Sequence, residues 1–178
     1  MTFRTVLGAI AALALTAFAA PVHAQGVVKA EYGDWQMSCD TPAGASFEQC
    51  ALIQNVTAED RANLGISVGA LKLADDGTPM LRVVASLGVL LQGRNPANPD
   101  ELVGGLGLTI DGKIVVGTVG FTRCILNGCV ADVMMDANLQ KLFTEGQTAY
   151  FIVYLTPEEP IGIPVSLNGF KEGFAALP

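Results

Sequence analysis

A chain of 178 residues is long enough for one hydrophobic core, and with 51% hydrophobic and 15% charged residues it is too apolar for intrinsic disorder. Its 10 basic residues against 17 acidic ones, with no basic run, exclude a nucleic-acid binder, because Lys and Arg contacts to phosphate supply most of that affinity. The same balance argues against electrostatic attachment to anionic lipid.

The N-terminus reads as an export signal. Arg4 supplies a positive n-region, the 15 residues from Val6 to Ala20 are uninterruptedly small or apolar, and Val22 and Ala24 stand three and one before a cut at Gln25. Fifteen residues are short for a membrane span, which takes about 20. The first cysteine, Cys39, is too far from the cut for an N-terminal lipid anchor. Residues 1–24 are therefore expected to be removed, leaving one domain over 25–178 with no membrane span. Arg4 and His23 leave with the signal, so the remaining chain has 9 basic and 17 acidic residues, a balance of −8, and no histidine.

Residues 25–31 read as a short lead-in. Strands are expected at 34–39 and 48–56, joined by a loop through Pro42 and Gly44, with a polar loop over 57–63. The stretch 66–73 pairs with 80–85 through Asp75-Asp76-Gly77. The segment 93–101, with two prolines and two asparagines, reads as an exposed loop, and Arg94 and Asn95 within it are candidate binding residues. The strongest hairpin signal is 106–110, Asp111-Gly112, 113–116, since Asp-Gly suits a type I′ turn. Strands at 121–124 and 129–134 follow. Asp136 reads as the N-cap of a helix carrying Leu139, Leu142 and Phe143 and ending at Gly146. A buried strand spans 147–155, and 161–167 is an edge strand or a bulge because of Pro164. Leu167, Phe170, Phe174 and Leu177 have the spacing of a short helical turn. Many short strands with close turn signals predict an all-β fold, a single β-sandwich or partly open barrel with one or two short helices.

Four cysteines in an exported chain imply two disulfides, with three connectivities open. A four-residue loop over 125–128 would set Cys124 opposite Cys129, whereas a two-residue Asn127-Gly128 turn would pair Leu126 with Cys129. The schemes exclude each other; the first, with Cys124–Cys129 bonded, is favoured, and Cys39–Cys50 then closes a second local loop. With no C-x-x-C spacing the pairs read as structural and not redox-active.

Chemistry is scarce. Serine and cysteine nucleophiles usually rely on a histidine base, and zinc sites on His and free Cys. Gly104-Gly105-Leu106-Gly107 precedes a hairpin where a phosphate loop opens a helix. Paired carboxylates survive as a hydrolase candidate, with Asp34, Asp132 and Asp136 the members to test. Trp35, the sole tryptophan, is either a core residue or a ligand platform. No catalytic residue, metal or cofactor is expected, and the chain reads as a non-enzyme.

Several segments, in order, resemble the invasion-associated locus B family of exported bacterial proteins. They are Gly33-Asp34-Trp35 with Cys39 and Cys50, Leu87-Gly88-Val89, Leu108 to Gly112, Phe121-Thr122-Arg123-Cys124 with Asn127-Gly128-Cys129-Val130-Ala131, and Pro164 to Phe170. The resemblance runs from Gly33 to Leu177, and its most specific parts are F-x-x-C-x4-C-V-A and S-L-x-G-F. The Asn-Pro loop and Gly104–Gly107 are longer than the pattern. The resemblance implies a periplasmic or outer-membrane-associated β-sandwich, or a secreted one, linked in pathogenic members to host-cell invasion. The expected function is support of envelope or host-surface interactions by binding an unidentified partner. The alternatives are a periplasmic module for a small ligand or glycan, and the carboxylate hydrolase.

Overall fold

The structure is a computed structural model that describes residues 26–42, 44–94 and 102–178. The expected signal segment and Asn95 lie outside the described residues. Five antiparallel strands come first: β1 (Val27–Tyr32), β2 (Trp35–Asp40), β3 (Gln49–Ala58), β4 (Arg61–Lys72) and β5 (Pro79–Ala85). A two-residue pair, β6 (Gly93–Arg94) and β7 (Leu102–Val103), precedes β8 (Leu106–Ile110) and β9 (Ile114–Val119). The chain then runs through β10 (Arg123–Ile125), β11 (Gly128–Met134), α1 (Ala137–Glu145), β12 (Thr148–Tyr154), β13 (Pro160–Ser166) and α2 (Phe170–Ala175).

The strands form a seven-stranded sheet in the order β1-β2-β3-β4-β5-β11-β10 and a four-stranded sheet in the order β13-β12-β8-β9. Inner positions decide the stacking. Leu64, Ile66, Val68 and Ala70 on β4 are buried at every second residue, as are Ala149, Phe151 and Val153 on β12. Such alternation means one apolar face per sheet, and the two faces bury each other. The expected β-sandwich is the observed architecture. Pro164 sits on β13, the edge of its sheet, where a missing N–H costs no ladder bond.

Three local expectations differ from the structure. The lead-in contains β1, which pairs with β2 from Val27↔Cys39 to Tyr32↔Trp35. The expected loop at 57–63 is mostly strand: β3 runs to Ala58 and β4 begins at Arg61, so only Glu59-Asp60 turns, with a register shift at Thr57/Ala58. Strand partners on both sides outweigh the polar composition there. The third difference is the hairpin at the second disulfide. Cys124 stands opposite Cys129, but Ile125 also pairs with Gly128, so Leu126-Asn127 alone make the turn. Gly128, at φ 140°, lies so close to the Ala85 carbonyl that a Cβ would collide with it, which reserves this glycine for the β11–β5 contact.

Asp-Gly behaves as its type I′ preference demands, with Asp111 at φ 53° and Gly112 at φ 65°. The Asp111 carboxylate also accepts from the Gln147 N–H at 3.0 Å and the Thr148 N–H at 2.9 Å, tying the turn to the start of β12. Asp136 caps α1 by accepting from the Leu139 N–H at 2.7 Å.

The disulfides are Cys39–Cys50 and Cys124–Cys129, each joining directly opposed residues of neighbouring strands. Ring length sets their worth. On the chain-entropy model the first, with a sequence separation of 11, stabilises by about 3 kcal/mol, and the second, with a separation of 5, by about 2 kcal/mol. Urea denaturation of the Cys39→Ser/Cys50→Ser and Cys124→Ser/Cys129→Ser double variants should reproduce that order. Equal losses would show that strain or denatured-state structure, and not loop closure, sets their effect.

Candidate functional site

Two distant motifs meet at one end of the sandwich. The Gly33-Asp34 turn between β1 and β2 packs against the Ser166–Gly169 segment that joins β13 to α2. Gly33 (φ 55°) and Gly169 (φ 85°) face each other, and a Cβ on either would strike the other segment's backbone. The Asp34 N–H donates to the Asn168 carbonyl at 3.1 Å. Its carboxylate accepts from the Ser166 hydroxyl at 2.6 Å and from the Asn168 side-chain amide at 3.4 Å.

Below this turn the bonds pass into the core. The Trp35 indole N–H donates to the Ser166 carbonyl at 2.8 Å. The Gln54 side-chain amide treats Ser166 as a strand neighbour, donating to its carbonyl and accepting from its N–H, both at 3.0 Å. Gln54 is 8% exposed and is the buried polar residue of the described core, so these bonds meet the requirement that buried amides be satisfied. Trp35 is 0% exposed, with Phe170 edge-on at 5.1 Å between ring centres. Its structural place is therefore the core, and any influence on binding passes through the residues it supports. Gln54 and Asn168 carried no sequence signal beyond their place in these segments; only the fold brings them to Asp34 and Trp35.

The chemistry of this node is structural. Among the described residues there is no histidine, so the Ser166 hydroxyl, bonded straight to a carboxylate, has no imidazole there to take and return its proton, the step on which serine nucleophiles depend. The three candidate carboxylates are also engaged separately. Asp34 holds Ser166, Asp136 caps α1, and Asp132 accepts twice from Arg82 across β5 and β11, at 2.7 and 3.1 Å. Hydrogen bonding to Asp132 raises the Arg82 pKa above its ordinary value. Among the described residues, Cys39, Glu48 and Cys50 form a cluster of metal-ligand type, but both sulfurs are in the disulfide and offer no thiolate.

Two surface features remain. Beside the node is a polar recess of about 340 Å³ lined by Glu31, Asp34, Gln36, Gln54 and Asn55. On the opposite side of the sandwich, the free edges of both sheets, β9 and β10, are joined by residues 120–122 alone. This side carries Ile114, Val115 (78% exposed), Val116, Ile125 and Leu126 (97% exposed), all large, apolar and open to solvent. Arg94 lies in β6, paired with Leu102 of β7, and residues 95–101 lie outside the described residues.

Among the described residues no helix is long and apolar enough to cross a membrane. No curated protein sequence matches the chain. The fold is similar to the crystal structure of invasion associated protein b from Bartonella henselae, with a TM-score of 0.59 and 24% sequence identity over 82% of this chain and 91% of that one. The family profile of Invasion associated locus B (IalB) protein matches residues 35–178, the span that holds both disulfides, the four-stranded sheet, every strand of the larger sheet except β1, and the Trp35–Ser166 bond. The chain belongs to the Invasion associated locus B (IalB) family.

Proposed function

We propose that the chain is an exported, non-enzymatic envelope protein that works by binding a protein partner along the β9–β10 side. The observation that carries this reading is the apolar sheet edge. A strand such as Ile114–Val119, with no charge and no proline, presents unpaired backbone groups beside exposed valines, and of the devices by which soluble proteins blunt such edges it carries the bulge at Val116. An edge of this kind suits addition of a partner's strand, with backbone bonds for affinity and apolar contacts for selectivity. The Arg94–Asn95 loop is a second recognition element in this reading. The association with invasion in the family's name is consistent with a surface or envelope partner.

Photo-crosslinking in intact cells tests the reading. A photoreactive phenylalanine at Val115 or Leu126 should yield one discrete adduct, absent when the same group replaces exposed Lys171, and a Lys at Val115 should abolish the Leu126 adduct. No adduct at the edge, or equal adducts at all three positions, would refute partner binding there. Fractionation with protease shaving then decides the compartment, since a fully protected periplasmic pool confines the partner to the envelope.

The polar recess supports a second reading, a glycan-binding module, because carboxylate and amide groups converge there. A glycan-array signal lost in Gln36→Ala, with no crosslink at the edge, would favour it.

A further inference from the structure

The two layers do not close beneath β9. In the β8–β9 ladder Leu108 faces Gly117 and Thr109 faces Val115, so Val116 is an extra, bulged residue. A bulge bends its strand and breaks the pairing locally. Leu108 points into the core, and its partner Gly117 contributes no side chain to the same face. An added Cβ at Gly117 would meet nothing within 4 Å. The bend and the missing side chain together leave a recess of about 190 Å³ between the sheets, walled by Leu81, Leu106, Leu108, Val133, Leu139 and Phe151 and open past β9.

A recess of this size and lining is not explained by packing. Cores are filled to crystal-like density, and unfilled apolar volume costs stability in proportion to its size. Ordered water is a poor tenant, because it needs two to four polar partners and, apart from Thr118 at the β9 rim, the lining side chains are aliphatic or aromatic. For comparison, an apolar cavity of about 150 Å³ takes up one benzene ring.

We propose that this recess binds the apolar end of a small amphiphile, a segment of about six to eight carbons such as a medium-chain acyl group, with its polar end left in solvent at the β9 opening. The proposal is independent of partner binding at the sheet edge. Val115 pairs with Thr109 on the outer face and does not line the recess, to which β9 contributes Val116 to Val119 instead. Failure of the crosslinks and failure of ligand uptake are therefore distinguishable.

The test uses the disulfide-intact protein with labelled Leu and Val methyl groups, titrated with sodium octanoate and followed by NMR. Saturable shifts are expected at Leu81, Leu106, Leu108, Val133 and Leu139. Leu108→Phe and Val133→Phe fill the recess from opposite walls, so if one fails to fold the other still reports; affinity should fall at least tenfold. Phe47→Ser, at an exposed apolar residue outside the recess lining, should bind as the parent does. Flotation with phosphatidylcholine vesicles distinguishes a free amphiphile from a chain presented by a bilayer. Octanoate binding without flotation supports the free amphiphile, and recess-dependent flotation supports the bilayer source. Shifts absent at millimolar octanoate, shifts scattered over the exposed apolar surface, or binding unchanged in a folded filling variant would overturn the proposal.

Discussion

Replacing Gly169 with alanine should destabilise the protein by about 4 kcal/mol, the largest loss expected from removing no side-chain contact. Two costs coincide. At φ 85° an L residue sits in the left-handed region, a penalty of about 1–2 kcal/mol by itself. The new methyl would also drive into the Tyr32 carbonyl and the Gly33 nitrogen, which are backbone atoms held by the Asp34–Asn168 bond and cannot swing aside. Gly77→Ala separates the terms, because Gly77 has φ 71° with nothing within 4 Å of its Cβ position, and should cost only about 1–2 kcal/mol. Urea unfolding followed through Trp35 fluorescence measures both. Equal losses would mean that the interlock yields and only the dihedral matters.

Phe170→Ala should cost about the same, about 4 kcal/mol, for a different reason. Phe170 is fully buried and is the hub of an aromatic cluster, with ring centres of Trp35 at 5.1 Å, Phe143 at 5.2 Å and Phe174 at 5.3 Å. It therefore joins β2 of the large sheet to both helices. Truncation loses its transfer energy and leaves a void that rigid neighbours on three sides cannot collapse into. For a domain of this length the melting temperature should fall by about 10 °C. Phe170→Leu keeps most of the volume and should lose less than half as much. A calorimetric shift of under 3 °C for the alanine variant would show that the C-terminal helix is an appendage and not part of the core.

What could be read from the residues was local. Asp-Gly at 111–112, Asp136 as a cap, and cysteines whose spacing suits a direct cross-strand bond each act within a few positions, so their geometry follows from short-range chemistry. β1 and the β3–β4 hairpin escaped because Glu59-Asp60 has no glycine or proline to mark its turn and Val27–Tyr32 becomes a strand by pairing with β2. The node was beyond reach for a stronger reason. Gln54 looks like an ordinary polar strand residue until Ser166, 112 positions away, is laid beside it. The recess was hidden too, since it arises from Val116, bulged at the end of the expected strand 113–116, and from the absent side chain of Gly117 just beyond it.

The joining of residue 34 to residue 168 also sets a timetable. β1–β5 are complete early in synthesis, but β10–β11, which extend their sheet, and β8, β9, β12 and β13, which cover it, all come later. Until Ser166 is available, the Trp35 indole and Gln54 amide have nothing to bond to across the layers. Pairings that distant make assembly slow, because loop closure precedes any gain in contact energy. A nascent chain of this design stays pliable and threadable almost to its last residues. That delay would serve a polypeptide that must cross a membrane extended and fold only on the far side, and it means that loss of Ser166 together with the twelve residues after it should be as damaging as loss of the core.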